Sequence, residues 1–163
     1  MNVRGSRTVD SPRADVFSAI CDPSTLLEVI PGCRAIERVG DTEYRGLISL
    51  RLPGSVGTYR TLVRLVESDE PSFGRMEGSV EGPLGAITGS ASFWLTDVDG
   101  GTTIDYSGQA AIGGPLARLD NRWVEGLASS LIDQGLGNLD ARLRRVRTLA
   151  PSEDRGATRE TPA

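Results

Sequence analysis

A chain of 163 residues with 38% hydrophobic and 25% charged residues has room for one sizeable core and no more, and its composition is that of a globular protein. All 18 basic residues are Arg and 22 acids outnumber them, so the net charge of −4 excludes the basic footprint of a nucleic-acid binder. The opening MNVRGSRTVD has no signal-peptide core, no run approaches the ~20 apolar residues of a membrane span, and the expected location is the cytoplasm.

Val3, Gly5, Arg7 and Val9 alternate with Arg4, Ser6 and Thr8, the period of a strand with a polar outer face. In DSPRADVFSAICD, Asp10 or Ser11 is placed to cap a helix and Pro12 suits its first turn. Val16, Phe17, Ile20 and Cys21 give that helix one apolar side. A second short helix, PSTLLEVI, begins at Pro23 and must stop at Pro31, because a proline drives the residue before it out of helical geometry and Gly32 permits a sharp turn. The corner VIPGC raises the question of whether Cys33 is a reactive thiol or part of a rigid rim. With no His in the chain, Cys33 lacks the commonest base for a thiol nucleophile. Two sulfurs do not complete a zinc site either, so Cys21 and Cys33 both read as structural thiols.

From Arg34 to Gly113 the period changes from 3.6 to 2. RAIERVG, EYRGLISLRL, GTYRTLVRLVES, SFGRMEGSVEG, GAITGSASFWLTDV and TTIDYSGQAAIG are six predicted strands, and the connections between them are too short for parallel crossovers, which predicts an antiparallel meander. Arg45, Arg51, Arg60 and Arg64 belong in water, which sends Tyr44, Ile48, Leu50, Tyr59, Thr61, Val63 and Leu65 to the inner face. Met76, Gly78, Val80, Ala91, Phe93, Leu95, Ile104, Tyr106, Gly108 and Ala110 join them there. The helical period then holds from Pro115 to about Thr148, roughly 50 Å of helix, with Leu116, Leu119, Trp123, Leu127 and Leu131 in one stripe. Gly135 and Gly137 predict a bend or a deliberate lack of side-chain volume. Residues 1–148 form the expected domain, and 149–163 read as a disordered polar tail.

The predicted fold is α+β of the helix-grip kind: a curved seven-stranded antiparallel sheet wrapped around a long C-terminal helix, with two short helices after strand one. No nucleophile–base pair, carboxylate pair, phosphate loop or metal-ligand spacing emerges. Asp133, Asp140, Glu67, Asp69 and Glu70 read as solvated charge, and Asp105 and Tyr106 point to opposite sides of one strand. The inner face instead mixes bulk with its absence: Tyr44, Tyr59, Phe93, Tyr106 and Trp123 against Gly46, Gly78, Ala91, Gly108 and Ala110. That contrast fits a cavity and a closely packed helix equally.

VIPGC followed by IERVGDTEYRG, GTYR, GPLGAITGSASFWL, TTIDYSGQAAIGGPLARL and LIDQGLGNLDARL resembles the carbon monoxide dehydrogenase G-subunit (CoxG) family of the START-like (SRPBCC, Bet v 1-like) superfamily, over about residues 1–145. The resemblance implies a deep apolar cavity, no catalytic residue and a molybdenum-containing oxidoreductase as partner. It also implies no covalent cofactor but a bound lipophilic molecule, an isoprenoid quinone such as menaquinone or ubiquinone, held by a carrier. Tyr44, Ile48, Leu50, Tyr59, Val63, Met76, Val80, Phe93, Leu95, Ile104, Tyr106, Ala110, Trp123, Leu127, Leu131 and Gly135 are the expected ligand-binding residues, with Ile30, Pro31 and Gly32 at the cavity rim. Tyr44, Tyr59 and Tyr106 are the candidates for orienting a head group, with Gln134 and Asn138 at the far end. Gly135 and Leu136 stand where the family carries two aromatics, which enlarges the expected cavity or opens its end. The tail reaches Ala163 without the family's membrane anchor. Transient contact with the inner face of the cell membrane is the remaining expectation, although Arg142, Arg144, Arg145 and Arg147 read as complements to the helix dipole. Alternatives are a polyketide cyclase or dehydratase of the same superfamily, and an assembly factor for the oxidoreductase.

Overall fold

The computed structural model of the protein describes residues 1–149. It contains β1 (Asn2–Val9), α1 (Arg13–Ile20), α2 (Pro23–Val29), β2 (Cys33–Arg38), β3 (Glu43–Leu52), β4 (Ser55–Asp69), β5 (Phe73–Gly82), β6 (Gly85–Val98), β7 (Gly101–Gly113), a 3₁₀ turn (Gly114–Arg118) and α3 (Asn121–Leu149). The expected tail, 150–163, lies outside the described residues, and Leu149, assigned to that tail, is the last residue of α3.

The seven strands form one antiparallel sheet in the order β1-β7-β6-β5-β4-β3-β2. The meander is therefore as predicted, with β1 and β2 left as edges. Register follows the alternation read from the sequence. Tyr44 opposite Val63, Ile48 opposite Tyr59 and Phe93 opposite Tyr106 share the inner face, while Arg45, Arg51, Arg60 and Arg64 are exposed outside.

The two short helices close one end of this sheet. Asp22 caps α2, its carboxylate accepting from the Thr25 amide at 3.2 Å and from the Thr25 and Ser24 hydroxyls at 2.7 Å. Those bonds hold the Asp22 carboxyl below its ordinary pKa, the Thr25 hydroxyl contributing most and the Ser24 hydroxyl next. Neither Asp10 nor Ser11 caps α1, contrary to expectation: Pro12 takes that position, with no side-chain cap. The Ser11 hydroxyl is committed elsewhere, donating to the Asp10 carbonyl at 2.7 Å, while the Ser11 carbonyl accepts from the fully buried Thr102 hydroxyl at 2.7 Å.

The last helix also departs from expectation. Pro115 opens a 3₁₀ turn rather than α3, and the chain is extended at Leu119 before α3 starts at Asn121. The amide of Leu116 donates to the Leu84 carbonyl at 2.7 Å, which ties the 3₁₀ turn to the β5–β6 connection and holds it off the helical path. Past Asn121 the helix runs unbroken through Gly135 and Gly137.

The interior divides into two. One core gathers Val9, Val16, Phe17, Ala19, Val29, Phe93, Leu95, Ile104 and Leu139 under α1, α2 and the second half of α3. The other is a smaller cluster of Leu52, Tyr59 and Leu116 under the 3₁₀ turn and the first half of α3.

Candidate ligand-binding crevice

At the end of the molecule occupied by the smaller cluster, sheet and helix do not close. Met1, Leu50, Leu52, Tyr59, Val80, Ile87, Leu116, Trp123, Val124, Leu127, Ala128 and Leu131 border an apolar crevice of about 80 Å³. Alternation along β3, β4, β5 and β6 aims the sheet residues into it, and helical spacing aims Val124, Leu127, Ala128 and Leu131 from the other side. Its deep end is the buried trio Leu52, Tyr59 and Leu116. Trp123, 41% exposed, stands at its outer end; the helical stripe that includes Leu116 and Leu119 predicts it inside, and the late start of α3 turns Val124 inward in its stead.

The structure distributes the predicted binding residues over several places. Leu50, Tyr59, Val80, Trp123, Leu127 and Leu131 line the crevice. Met76, Phe93, Leu95, Ile104, Tyr106 and Ile30 pack in or against the closed core. Ile48, Val63 and Ala110 are half-buried on strand positions between the two. Pro31 and Gly135 meet where α3 crosses the α2–β2 corner, and Asn138 donates to the Val29 carbonyl there at 3.0 Å. Gly32 completes the corner in the left-handed region at φ 77°, with the Ser49 carbonyl so close that a methyl group would overlap it.

The three tyrosines separate clearly. Tyr44 belongs to a surface groove, where its hydroxyl donates to the Cys21 carbonyl at 2.7 Å and the Arg38 guanidinium lies 5.4 Å from its ring. Burial raises its pKa. Tyr106 lies across Gly5 of β1, Phe93 across Gly74 of β5, and Tyr59 across Gly82 of β5, and a methyl group on any of these glycines would overlap the ring. Each aromatic thus covers a glycine on a nearby strand, so much of the bulk contrast read from the sequence is local complementarity. Gly46 and Gly78 leave no free space either, since a methyl group there would lie 2.7 Å from the Ala35 carbonyl and 2.8 Å from the Leu62 carbonyl.

Tyr59 differs from the other two in its hydroxyl. The residue is 2% exposed and the hydroxyl oxygen has no hydrogen-bond partner among the described residues. A buried hydroxyl left unpaired costs about 1–3 kcal/mol.

The thiols are not activated. Burial, and then the negative charge of Glu70, raise the Cys21 pKa, and burial raises that of Cys33. The carboxylates that read from the sequence as solvated charge include two structural ties: Asp133 pairs with Arg7 at 2.9 Å, and Asp140 accepts from the Asp10 amide at 3.0 Å and from Arg144 at 2.9 Å. Residues missed from the sequence are Met1, Leu52, Ile87, Leu116, Val124 and Ala128. Leu52 and Ile87 are within reach of it, since each continues the inward alternation of its strand to the turn.

The same fold recurs among solved structures. A conserved protein from Geobacillus kaustophilus superposes with a TM-score of 0.84 at 24% identity, covering 89% of this chain and 96% of that one. A START superfamily protein from Mycobacterium smegmatis gives 0.68 at 11% identity, with 89% and 98% covered. Ara h 8.0201 gives 0.64 at 18% identity, again with 89% and 98% covered. At these identities the likeness is one of fold: α+β, START and Bet v 1-like. No curated protein matches the chain. The family described as the G-subunit of carbon monoxide dehydrogenase (CoxG) matches residues 5–144, and with that span accounting for nearly all of the sheet and α3, the chain belongs to the CoxG family.

Proposed function

We propose that the protein is a non-enzymatic carrier that holds a lipophilic small molecule between its sheet and α3 and serves a carbon monoxide dehydrogenase-like oxidoreductase containing molybdenum. Membership of the CoxG family supports the partner, and the START-like fold supports the binding role. The observation that carries the reading is the apolar crevice itself, open at the end of the molecule where the core is thinnest. An isoprenoid quinone, menaquinone or ubiquinone, is the expected cargo: apolar burial at roughly 25 cal/mol per Å² supplies affinity along a hydrocarbon tail before ordering costs.

At about 80 Å³ the crevice is smaller than the roughly 300–1,000 Å³ of sites that enclose drug-sized ligands. A quinone therefore enters only if the first half of α3 and the 3₁₀ turn move outward. Among the described residues the polar ties in that region are few, which supports such movement: Asn2 to Glu125 at 3.2 Å, Leu116 to Leu84, and the Arg122 amide to its capping Asp120 at 2.9 Å.

Native mass spectrometry of protein purified without detergent, followed by organic extraction, tests the reading. The expected result is a stoichiometric lipophilic molecule, or uptake of added menaquinone, that Leu127→Trp abolishes while the variant stays folded. An empty protein that takes up no quinone, or a Leu127→Trp variant that binds as well as the parent, sinks it.

A further inference from the structure

The outer face of the sheet, turned away from α3 and the crevice, carries an aromatic pair in the open. Phe93 and Leu95 are buried in the closed core, so alternation along β6 turns Trp94 outward, where it is 44% exposed and its ring lies 5.7 Å from that of Phe73 on β5. Val98, also exposed, extends the apolar surface along the same strand. We propose that this face docks a basic surface of another protein, which lays an arginine side chain over Trp94 and pairs its guanidinium with Asp105. The proposal does not depend on the carrier reading.

Register places the charge. In one row across the sheet Asp69 of β4 stands opposite Phe73, Phe73 opposite Trp94, and Trp94 opposite Asp105 of β7, so a carboxylate flanks the aromatic pair on each side. Neighbouring strands lie about 4.8 Å apart, which brings the Asp105 carboxylate beside the indole on the same face. Glu67, and Asp99 at the turn beyond Val98, add to the acidic border. Among the described residues Glu67, Asp69, Asp99 and Asp105 make no ion pair. Arg4 and Arg75 belong to the next row, but Glu77 engages Arg75 at 3.4 Å, and negative charge stays in excess.

That combination selects the chemistry of the partner. An uncharged apolar surface laid over the indole would leave these carboxylates desolvated and unpaired, a cost that hydrocarbon contact does not offset. Nucleic acid and anionic lipid are repelled, and the net charge of −4 sets a second copy of the chain against the first. A guanidinium meets both features at once: its plane stacks on the indole while its N–H edge donates to the carboxylate beside it. A lysine ammonium, a compact and strongly hydrated charge, does not combine the two.

The test follows the two indole N–H signals of the nitrogen-labelled full chain by NMR, with Trp123 as internal control for Trp94, as N-acetyl-arginine amide or N-acetyl-lysine amide is added at low salt. The arginine probe is expected to shift the Trp94 indole and the Asp105 amide saturably, binding about three-fold tighter than the lysine probe, with Trp123 unmoved. Asp105→Asn should weaken the arginine probe about three-fold with the melting curve unchanged. Leu127→Trp, which fills the crevice, should leave the response intact. Equal binding of the lysine probe, shifts confined to the acidic turns with Trp94 unmoved, or arginine binding that survives Asp105→Asn overturns the proposal and leaves the carrier reading standing. Sedimentation that shows self-association abolished by Trp94→Ser also overturns it, assigning the face to a second copy.

Discussion

The two halves of α3 sit on the same sheet and are held in different ways. From Asp133 to Leu149 the helix is pinned: Asp133 to Arg7, Asn138 to the Val29 carbonyl, Asp140 to the Asp10 amide, Arg142 and Arg145 to Glu28, and Arg147 to Asp10 at 3.0 Å. Beneath it Leu139 is buried among Phe17, Phe93 and Val29. The basic cluster at the helix end, read from the sequence as a complement to the helix dipole, joins α3 to α2 and to the turn after β1 through ion pairs. From Asn121 to Ile132 the same helix rests on apolar contacts at the edge of a crevice, with Trp123 partly exposed at its outer end. One half supplies stability and the other leaves room. A carrier needs both, since an interior packed to native density throughout has no place for cargo and one open throughout does not hold its shape.

The sharpest way to break this comparison is to empty a position in each half. Phe93→Ala, in the closed core where Phe93 is 4% exposed and meets the Phe17 ring at 5.8 Å, should cost about 3–5 kcal/mol in denaturant unfolding. Leu127→Ala, beside a space that already exists, should fall below about 2 kcal/mol. Equal losses would mean the crevice is packed as tightly as the core. A smaller effect of opposite sign comes from Tyr59→Phe, which removes an unpaired buried hydroxyl and should stabilise the ligand-free protein by about 1 kcal/mol, visible as a raised melting temperature. A loss of stability would show that the hydroxyl has a partner after all.

Comparable in size, Asp22→Ala should lose about 1 kcal/mol by uncapping α2, with faster amide exchange at Thr25. The same contact sets a pH response. Asp22 and Glu28 both have depressed folded pKa values, Glu28 through hydrogen bonds from Arg145 and then Arg142. Their contributions are present above the ordinary carboxyl values of 3.8 and 4.5 and are lost as pH falls through the lower folded ones. Acid titration followed by amide exchange should therefore loosen α2 and the end of α3 while Phe93 stays protected. The smallest expected effect is chemical: near pH 7 Cys21 and Cys33 should alkylate more slowly than a free thiol, because burial raises both.

Much of the architecture was legible because it depends on short-range periodicity. EYRGLISLRL and GAITGSASFWLTDV match β3 and β6 residue for residue, and the arginines fixed which face turned outward. The start of α3 was not legible. The helical period of Leu116 and Leu119 is genuine, but the Leu116 amide finds its acceptor at Leu84, more than thirty positions earlier in the chain, and no local pattern reports that. The expected binding residues mix crevice, core and groove for a similar reason. Alternation tells which face a side chain takes and not which neighbour fills the space above it.

The sequence by itself therefore determined the strands, the helix-grip order and the resemblance to the CoxG family, all carried by residues near one another in the chain. The tertiary structure alone decided where the interior stays open. Tyr106, Phe93 and Tyr59 all lie over glycines of nearby strands, yet two are absorbed into the core that α1, α2 and the second half of α3 close, while Tyr59 belongs to the smaller cluster at the crevice and buries a hydroxyl with no partner among the described residues. Volume between packed surfaces is a property of elements brought together from the whole length of the chain, and it exists only once they meet.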